Sequence, residues 1–127
     1  MGVAMPRLPE LVVVQRSGML PGGLAYVLSF VEVWPDQIVV RFVGLDDGAS
    51  RALRDLSLTL ADDAGTEYAW RATSSGGMVL PDEVSVGFVG SISETAEWLV
   101  VGDPSGGMRE RVQLMTDGGP VPDRRRS

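Results

Sequence analysis

Short runs of apolar and β-branched residues alternate with turn residues along most of the chain, and this pattern predicts an all-β protein. The strongest signal is Phe30 to Phe42, where two apolar runs flank Pro35-Asp36. Proline presets the backbone angle at the first position of a tight turn, and aspartate hydrogen-bonds its own local backbone, so the stretch is typical of a β-hairpin. Both faces of its two strands are largely apolar, which indicates central positions in a sheet.

The same alternation predicts further strands on either side of this hairpin. Leu56 to Leu60 and Thr66 to Arg71 form a second predicted hairpin around an Asp-Asp-Ala-Gly turn. The other predicted elements are strands at Leu11 to Gln15, Val84 to Phe88, Glu97 to Val101 and Arg109 to Met115, one helical turn at Arg51 to Asp55, and a flexible connector at Thr73 to Asp82. Ser91 and Glu94 have capping-box spacing, but a loop or single helical turn before the strand at Glu97 is favoured.

About seven or eight strands at intervals of roughly ten residues, with no long helical pattern, favour two antiparallel sheets in an immunoglobulin-like β-sandwich. A small closed β-barrel is the alternative architecture. The predicted organisation is an extended N-terminal arm over residues 1–10, one β domain over residues 11–115 and a disordered tail over residues 116–127.

Composition excludes several classes of chemistry. The 127 residues include no Cys and no His, which removes disulfides, thiolate chemistry, Cys-ligated metal centres and the usual general base at neutral pH. All 11 basic residues are arginine, so P-loop and Schiff-base lysines are absent as well. The net charge of −6 disfavours binding to nucleic acid or anionic lipid, and no apolar run is long enough to span a membrane. The cytoplasm is the expected compartment.

These absences predict that the protein is not an enzyme and carries no cofactor. A serine or threonine nucleophile would lack a histidine or lysine base. A carboxylate-based hydrolase is the remote alternative, and it would need two carboxylates at a set separation beside a deep cleft. A chain of this size that forms one β domain leaves little room for such a cleft.

Aspartates cluster in the predicted loops, at Asp46-Asp47 and Asp62-Asp63. Calcium takes roughly six to eight oxygen ligands, which loops at one end of a β domain can supply, so a small-ligand or calcium-binding domain is an alternative function. Aspartate is also a preferred turn residue, and no stretch has the spacing of a known calcium loop. Turn chemistry is therefore the favoured role of these residues, and no bound metal is expected.

The doubly apolar first hairpin and the missing catalytic chemistry support the leading hypothesis, a non-enzymatic protein-interaction or scaffold module. Two apolar runs without charge add a clue to where it would bind, unless both are central or covered in the sheet. The runs are Leu11 to Val14 and Trp98 to Val101, and either would invite strand pairing with another chain if it lay at a sheet edge. The expected partner is another protein or a second copy of this chain in a homodimer, rather than nucleic acid or a membrane.

The candidate interaction residues come from these runs and from the first hairpin. They are Val12, Val14, Trp34 and Trp98. Trp34 is included because it lies next to the predicted turn, near one end of the β domain, where an aromatic side chain is partly exposed. Core packing is the favoured role for Trp70 and also for the ring of Trp98.

Two motifs resemble a group of small uncharacterised β-sandwich proteins from actinobacteria. The motifs are V-E-V-W-P-D-Q-I-V-V-R-F, from Val31 to Phe42, and L-T-L-A-D-D-A-G-T-E-Y, from Leu58 to Tyr68. The resemblance covers most of Leu24 to Val101. The group usually has glycine after the Pro-Asp turn, where this chain has Gln37. The resemblance implies a β-sandwich, and because the group has no assigned activity it implies no catalytic residue.

Overall fold

The computed structural model describes residues 10–76, 82–106 and 108–114, and they form eight strands and one short helix. The strands are β1 (Glu10–Met19), β2 (Ala25–Val33), β3 (Gln37–Gly44), β4 (Thr59–Asp62), β5 (Glu67–Gly76), β6 (Asp82–Val89), β7 (Trp98–Gly102) and β8 (Arg109–Gln113), and helix α1 (Ala49–Asp55) follows β3. The all-β prediction is confirmed. No helix in the described ranges has the length and apolar character needed to cross a membrane.

All eight strands belong to one sheet, in the order β1-β2-β3-β6-β5-β4-β7-β8. Every neighbouring pair is antiparallel. The sheet curls until β1 and β8, the two outer strands, face each other, and Arg16 Nη1 of β1 lies 2.7 Å from the backbone oxygen of Arg111 in β8. The architecture is therefore the predicted alternative, a nearly closed barrel.

The sandwich expectation is corrected because one long strand serves both halves of the sheet. β5 pairs with β4 through Glu67 and Tyr68, and from Ala69 onward it pairs with β6. A strand that continues from one ladder into the other joins what the sequence pattern suggested were two separate sheets. The immunoglobulin-like arrangement, with two sheets packed face to face, is not formed.

Bulges bend the strands so that one sheet can curl in this way. Val14 and Gln15 of β1 together lie opposite Ser29 of β2, and Gln15 has a φ of 52°. Ser29 is in turn the extra residue of β2 in its ladder with β3, and Arg71 is the extra residue of β5 in its ladder with β6. A bulge bends its strand and increases the local twist, which brings the outer strands together.

The core fills the inside of this curled sheet. Its fully buried side chains come from six elements and are Leu28, Val31, Ile38, Val40, Phe42, Leu53, Leu60, Val84, Val86, Phe88, Leu99 and Val101. Burying one side chain of this size stabilises the fold by about 1.5–3 kcal/mol. Leu53 belongs to α1, which lies against the end of β3. A Cβ at Gly44 would lie 3.0 Å from the backbone nitrogen of Ser50, so a glycine in β3 gives the helix room to approach.

Most elements agree with the sequence prediction. The first hairpin turns at Pro35-Asp36, and the residues from Ser91 to Glu97 form a loop with a turn before β7, as expected. One difference is that β5 extends to Gly76, through residues predicted to form a connector, because Thr73, Ser74 and Ser75 pair with β6 despite their polar side chains. Apart from Glu10, the predicted arm and tail lie outside the described residues.

Candidate functional site

The seam between β1 and β8 is where the ladder of the sheet stops and side chains bridge the gap. Arg16 Nη1 donates to the backbone oxygen of Arg111 and, at 3.2 Å, to Glu110 Oε1. Glu110 Oε2 accepts a hydrogen bond of 2.6 Å from the hydroxyl of Tyr26 in β2. Within the described residues β1 and β8 form no backbone ladder, so these side-chain contacts close the barrel there.

Strand alternation places these groups at the seam. β8 alternates exposed and buried positions, which turns Glu110 inward on the same face as Val112. Tyr26 is buried and makes an edge-to-face contact with Phe42 at 6.0 Å between ring centroids. Its cross-strand neighbour in β1 is Gly18, and a Cβ there would lie 2.5 Å from the Tyr26 hydroxyl oxygen. Glycine at position 18 is therefore required by the tyrosine ring.

The electrostatics of the seam favour a structural role. Burial raises the pKa of Tyr26, and the hydrogen bond to the Glu110 carboxylate raises it further. The hydroxyl is therefore a proton donor at neutral pH and not a base. The Arg16 side chain is 49% exposed, so its ion pair with Glu110 is weakened by solvent and by salt.

A cleft of about 520 Å³ lies between the start of β1 and the end of β8. Its apolar wall includes Val12, Val33, Ile92, Ala96 and Leu114, and its acidic residues are Glu10, Glu94 and Glu97. The cleft therefore reaches the core residues Val12 and Leu114 beside the outer edge of β1.

The outer face of β1 exposes two large apolar side chains beside this cleft. Leu11 is 55% exposed and Val13 is 69% exposed. Val12, a sequence-predicted interaction residue, points into the core, and Val14, a second one, is half-buried against the core. The exposed residues of the run are therefore Leu11 and Val13, which alternate with the predicted residues Val12 and Val14. Strand periodicity alone does not say which of the two sets faces outward.

The other two candidate interaction residues lie on separate parts of the surface. Trp34 is half-buried beside the β2–β3 turn, and its Nε1 donates to Glu32 Oε1 at 3.0 Å. Trp98 is half-buried in β7, which lies between β4 and β8 and is not an edge strand. The guanidinium carbon of Arg111 lies 3.7 Å from the centroid of the Trp98 ring. The guanidinium therefore covers one face of the indole.

The four aspartates considered for calcium lie at opposite ends of the barrel. Asp46 and Asp47 follow Gly44, which pairs with the first residue of β6. Asp62 accepts a hydrogen bond from Tyr68, which lies beside the last residue of β6 at the other end of that strand. The two pairs are separated by the length of that strand, roughly 25 Å. No group of three or more acidic residues suited to a metal ion occurs in the described part of the chain.

Hydrogen bonds from backbone nitrogens occupy three of these aspartates. Asp46 Oδ2 accepts from the backbone nitrogen of Ala25 at 2.7 Å. Asp63 Oδ1 accepts from the backbone nitrogens of Glu97 and Trp98, which ties the β4–β5 turn to the start of β7. Asp62 accepts hydrogen bonds from backbone nitrogens of its own turn, which is the role that turn chemistry predicts.

Asp62 is the centre of a buried polar network. Its Oδ1 accepts from the backbone nitrogens of Ala64 and Thr66, both at 2.9 Å, and its Oδ2 accepts from the Tyr68 hydroxyl at 2.6 Å. Burial opposes ionisation of the carboxyl, but the hydrogen bonds from Tyr68, Thr66, Ser93 and Ala64 outweigh burial and hold its pKa below the ordinary value. Burial and the bond to Asp62 raise the pKa of Tyr68.

Trp70 occupies a groove that the sequence did not indicate. The expectation of core packing is wrong for this residue, because Trp70 is 57% exposed. The ladder between β4 and β5 ends at Tyr68, so no described strand covers Trp70 on that side. The groove has a volume of about 390 Å³ and is lined chiefly by Arg54, Leu56, Leu58, Trp70, Thr73 and Pro104.

No protein-family model and no curated protein matches the chain. Among solved structures, the chain is similar to a crystal structure described as that of a conserved domain protein from Bacillus anthracis. The TM-score is 0.55 and the identity 21%, over 73% of this chain and 34% of the other. This chain therefore spans about a third of that protein's length. At this level of identity the likeness shows a shared fold.

Proposed function

We propose that the protein is a non-enzymatic interaction module that binds a second polypeptide chain, either a partner protein or another copy of itself, along the outer edge of β1. One observation carries the proposal. β1 is an outer strand of the sheet, and it exposes Leu11 and Val13 on its outward face. We propose the cytoplasm as the compartment, in keeping with a chain that has no Cys.

The physical argument is that an exposed apolar edge strand offers two kinds of contact at once. An incoming extended segment gains backbone hydrogen bonds of about 0.5–1.5 kcal/mol each. It also buries the side chains of Leu11 and Val13, each worth about 1.5–3 kcal/mol when fully buried. Edge strands are usually protected by charges or by a covering loop, and between Leu11 and Gln15 this strand has no charged side chain.

The bulge at Val14 and Gln15 limits where pairing can occur. A bulge interrupts the regular ladder, and after it Arg16 already occupies the seam through its bonds to β8. The accessible segment is therefore Glu10 to Val13, next to the cleft between β1 and β8. A pairing segment of about four residues is short, which favours a reversible association.

The experiment measures mass in solution across a concentration series, by light scattering and by native mass spectrometry of protein purified gently from cells. We expect a dimer, or a complex with a bound protein, and we expect Val13→Lys to abolish it. Val89→Lys is the matched control, because Val89 is also an exposed strand valine, 49% exposed, but lies in β6. A monomer with no retained protein, or an assembly that survives Val13→Lys, would contradict the proposal.

A further inference from the structure

We propose that the groove beside Trp70 binds a small planar aromatic anion. The juxtaposition that carries the inference is an exposed tryptophan and an exposed arginine, Trp70 and Arg54, that line one groove without a single carboxylate among its lining residues. This site lies on β5, α1 and the segment between α1 and β4, and it is independent of the β1 edge.

The charge of the groove differs from that of the protein. The whole chain has a net charge of −6, whereas Arg54 is the sole charged residue in the lining. The Arg54 side chain makes no hydrogen bond or ion pair with the described residues, unlike those of Arg16 and Arg41, which each pair with a glutamate. A free guanidinium presents several N–H donors in a fixed plane, a geometry that suits a carboxylate or another oxyanion.

No carboxylate in the described part of the chain forms an ion pair with this arginine. Asp103 precedes the lining residue Pro104, but its two oxygens accept from the backbone nitrogen and hydroxyl of Ser105, at 3.2 and 2.7 Å. Arg54 is therefore not held in an ion pair with any described residue before a ligand binds.

The residues that line the groove favour a flat apolar ligand body. Trp70 Nε1 donates to Thr73 Oγ1 at 2.9 Å, which fixes the indole and leaves its ring, rather than its N–H group, for contact with a ligand. Leu56, Leu58 and Pro104 supply further apolar surface. The volume of about 390 Å³ lies within the range of roughly 300–1,000 Å³ in which proteins bind small molecules.

The test is a titration of the protein with 2-naphthoate, followed by NMR of the indole N–H signals, of which three are expected from the three tryptophans. We expect the signal that Trp70→Phe removes to shift upon titration, with a dissociation constant of about 1 mM or tighter. Two probes of equal shape, neutral 2-naphthalenemethanol and cationic 2-naphthylmethylamine, should bind about tenfold more weakly, because neither pairs with Arg54.

Variants separate the two parts of the site. Arg54→Gln should weaken binding of 2-naphthoate about tenfold and leave the neutral probe unchanged, whereas Trp70→Ala should weaken both. Arg51→Gln is the matched control, since Arg51 is an exposed arginine of the same helix that does not line the groove. The proposal is overturned by equal binding of the three probes, by equal effects of the two arginine variants, or by the absence of any shift at millimolar 2-naphthoate.

Discussion

Tyr26 and Glu110 are 84 positions apart in the chain, yet the tyrosine hydroxyl and the glutamate carboxylate form a buried hydrogen bond of 2.6 Å. The bond joins β2 to β8 across β1, whose Gly18 lies against the tyrosine ring. Together with Arg16 it connects the first hairpin of the chain to the last strand. The closure of the barrel therefore depends on a small number of polar side chains.

Removal of the Glu110 carboxylate should destabilise the protein. In Glu110→Ala the buried hydroxyl of Tyr26 loses its acceptor, and an unsatisfied buried polar group costs about 1–3 kcal/mol. Arg16→Gln removes the half-exposed partner of the same carboxylate and should cost less than about 1 kcal/mol. Urea denaturation of both variants measures the difference, and an equal loss of stability in the two would show that the buried bond is not the stronger contact.

A methyl group at position 18 should also destabilise the barrel. Gly18→Ala places a Cβ 2.5 Å from the Tyr26 hydroxyl oxygen and 2.6 Å from the ring carbon that carries it. Overpacking of this kind costs about 1–3 kcal/mol. Gly87→Ala is the control, because the nearest atom to a Cβ at that strand glycine is 3.8 Å away. In thermal unfolding, Gly18→Ala should have a clearly lower melting temperature than Gly87→Ala. The reverse order would refute the steric argument.

Acid should destabilise the protein in part through Asp62. The folded state lowers the pKa of this carboxyl below its ordinary value of 3.8, so the unfolded chain binds the proton more tightly. Its contribution to the free energy of unfolding is complete above the ordinary pKa and is lost as the pH falls through the lower, folded value. Asp62→Asn should cost about 1–2 kcal/mol at neutral pH, and the difference from wild type should shrink in acid.

The measurement for Asp62 is the free energy of unfolding as a function of pH. Asp47→Asn is the control for loss of one negative charge, because Asp47 is exposed and forms no hydrogen bond within the described ranges. A wild-type profile that stays parallel to that of Asp62→Asn at every pH would speak against the buried network as the source of acid sensitivity.

Alkali should act through the two tyrosines. Tyr26 and Tyr68 both have a raised pKa in the folded state, and the chain has no further tyrosine. Because the folded state holds the phenolic proton more tightly, their contribution to stability is complete below the ordinary pKa of 10.0 and is lost as the pH rises above it. We therefore expect tyrosinate absorbance to appear only as the circular dichroism of the fold is lost. Tyrosinate formation near the ordinary pKa in a fully folded protein would contradict this.

Local patterns in the sequence predicted most of the strands. The hairpin at Pro35-Asp36 was found because its turn residues and its β-branched flanks are adjacent in the chain. The single sheet was not predicted as the favoured architecture, since it depends on β5 pairing on two sides and on the bulge at Ser29. A bulge changes which residues face inward without any change in composition. Tyr26 and Leu28 are buried before it, and Val31 after it.

The candidate surfaces were harder to predict than the fold. The apolar run at the start of β1 was recognised, but its exposed residues are Leu11 and Val13 rather than Val12 and Val14. Trp70 was assigned to the core because a strand tryptophan usually packs there, and nothing local indicates that the neighbouring strand β4 ends before it. The contacts of Arg16 and Glu110 join residues 94 positions apart, a distance that no periodicity in the sequence can span.

A barrel joined along one line by side chains has a specific weak point. Elsewhere, separating two strands breaks a ladder of backbone hydrogen bonds, but separating β1 from β8 breaks the contacts of Arg16 and the bond between Tyr26 and Glu110. Local opening along this line exposes Glu110 and the inner face of Val12 to water while the other seven strand pairs stay intact. Amide hydrogens near the seam should therefore exchange with solvent sooner than those of β3 and β6 at the centre of the sheet, and added salt should speed that exchange.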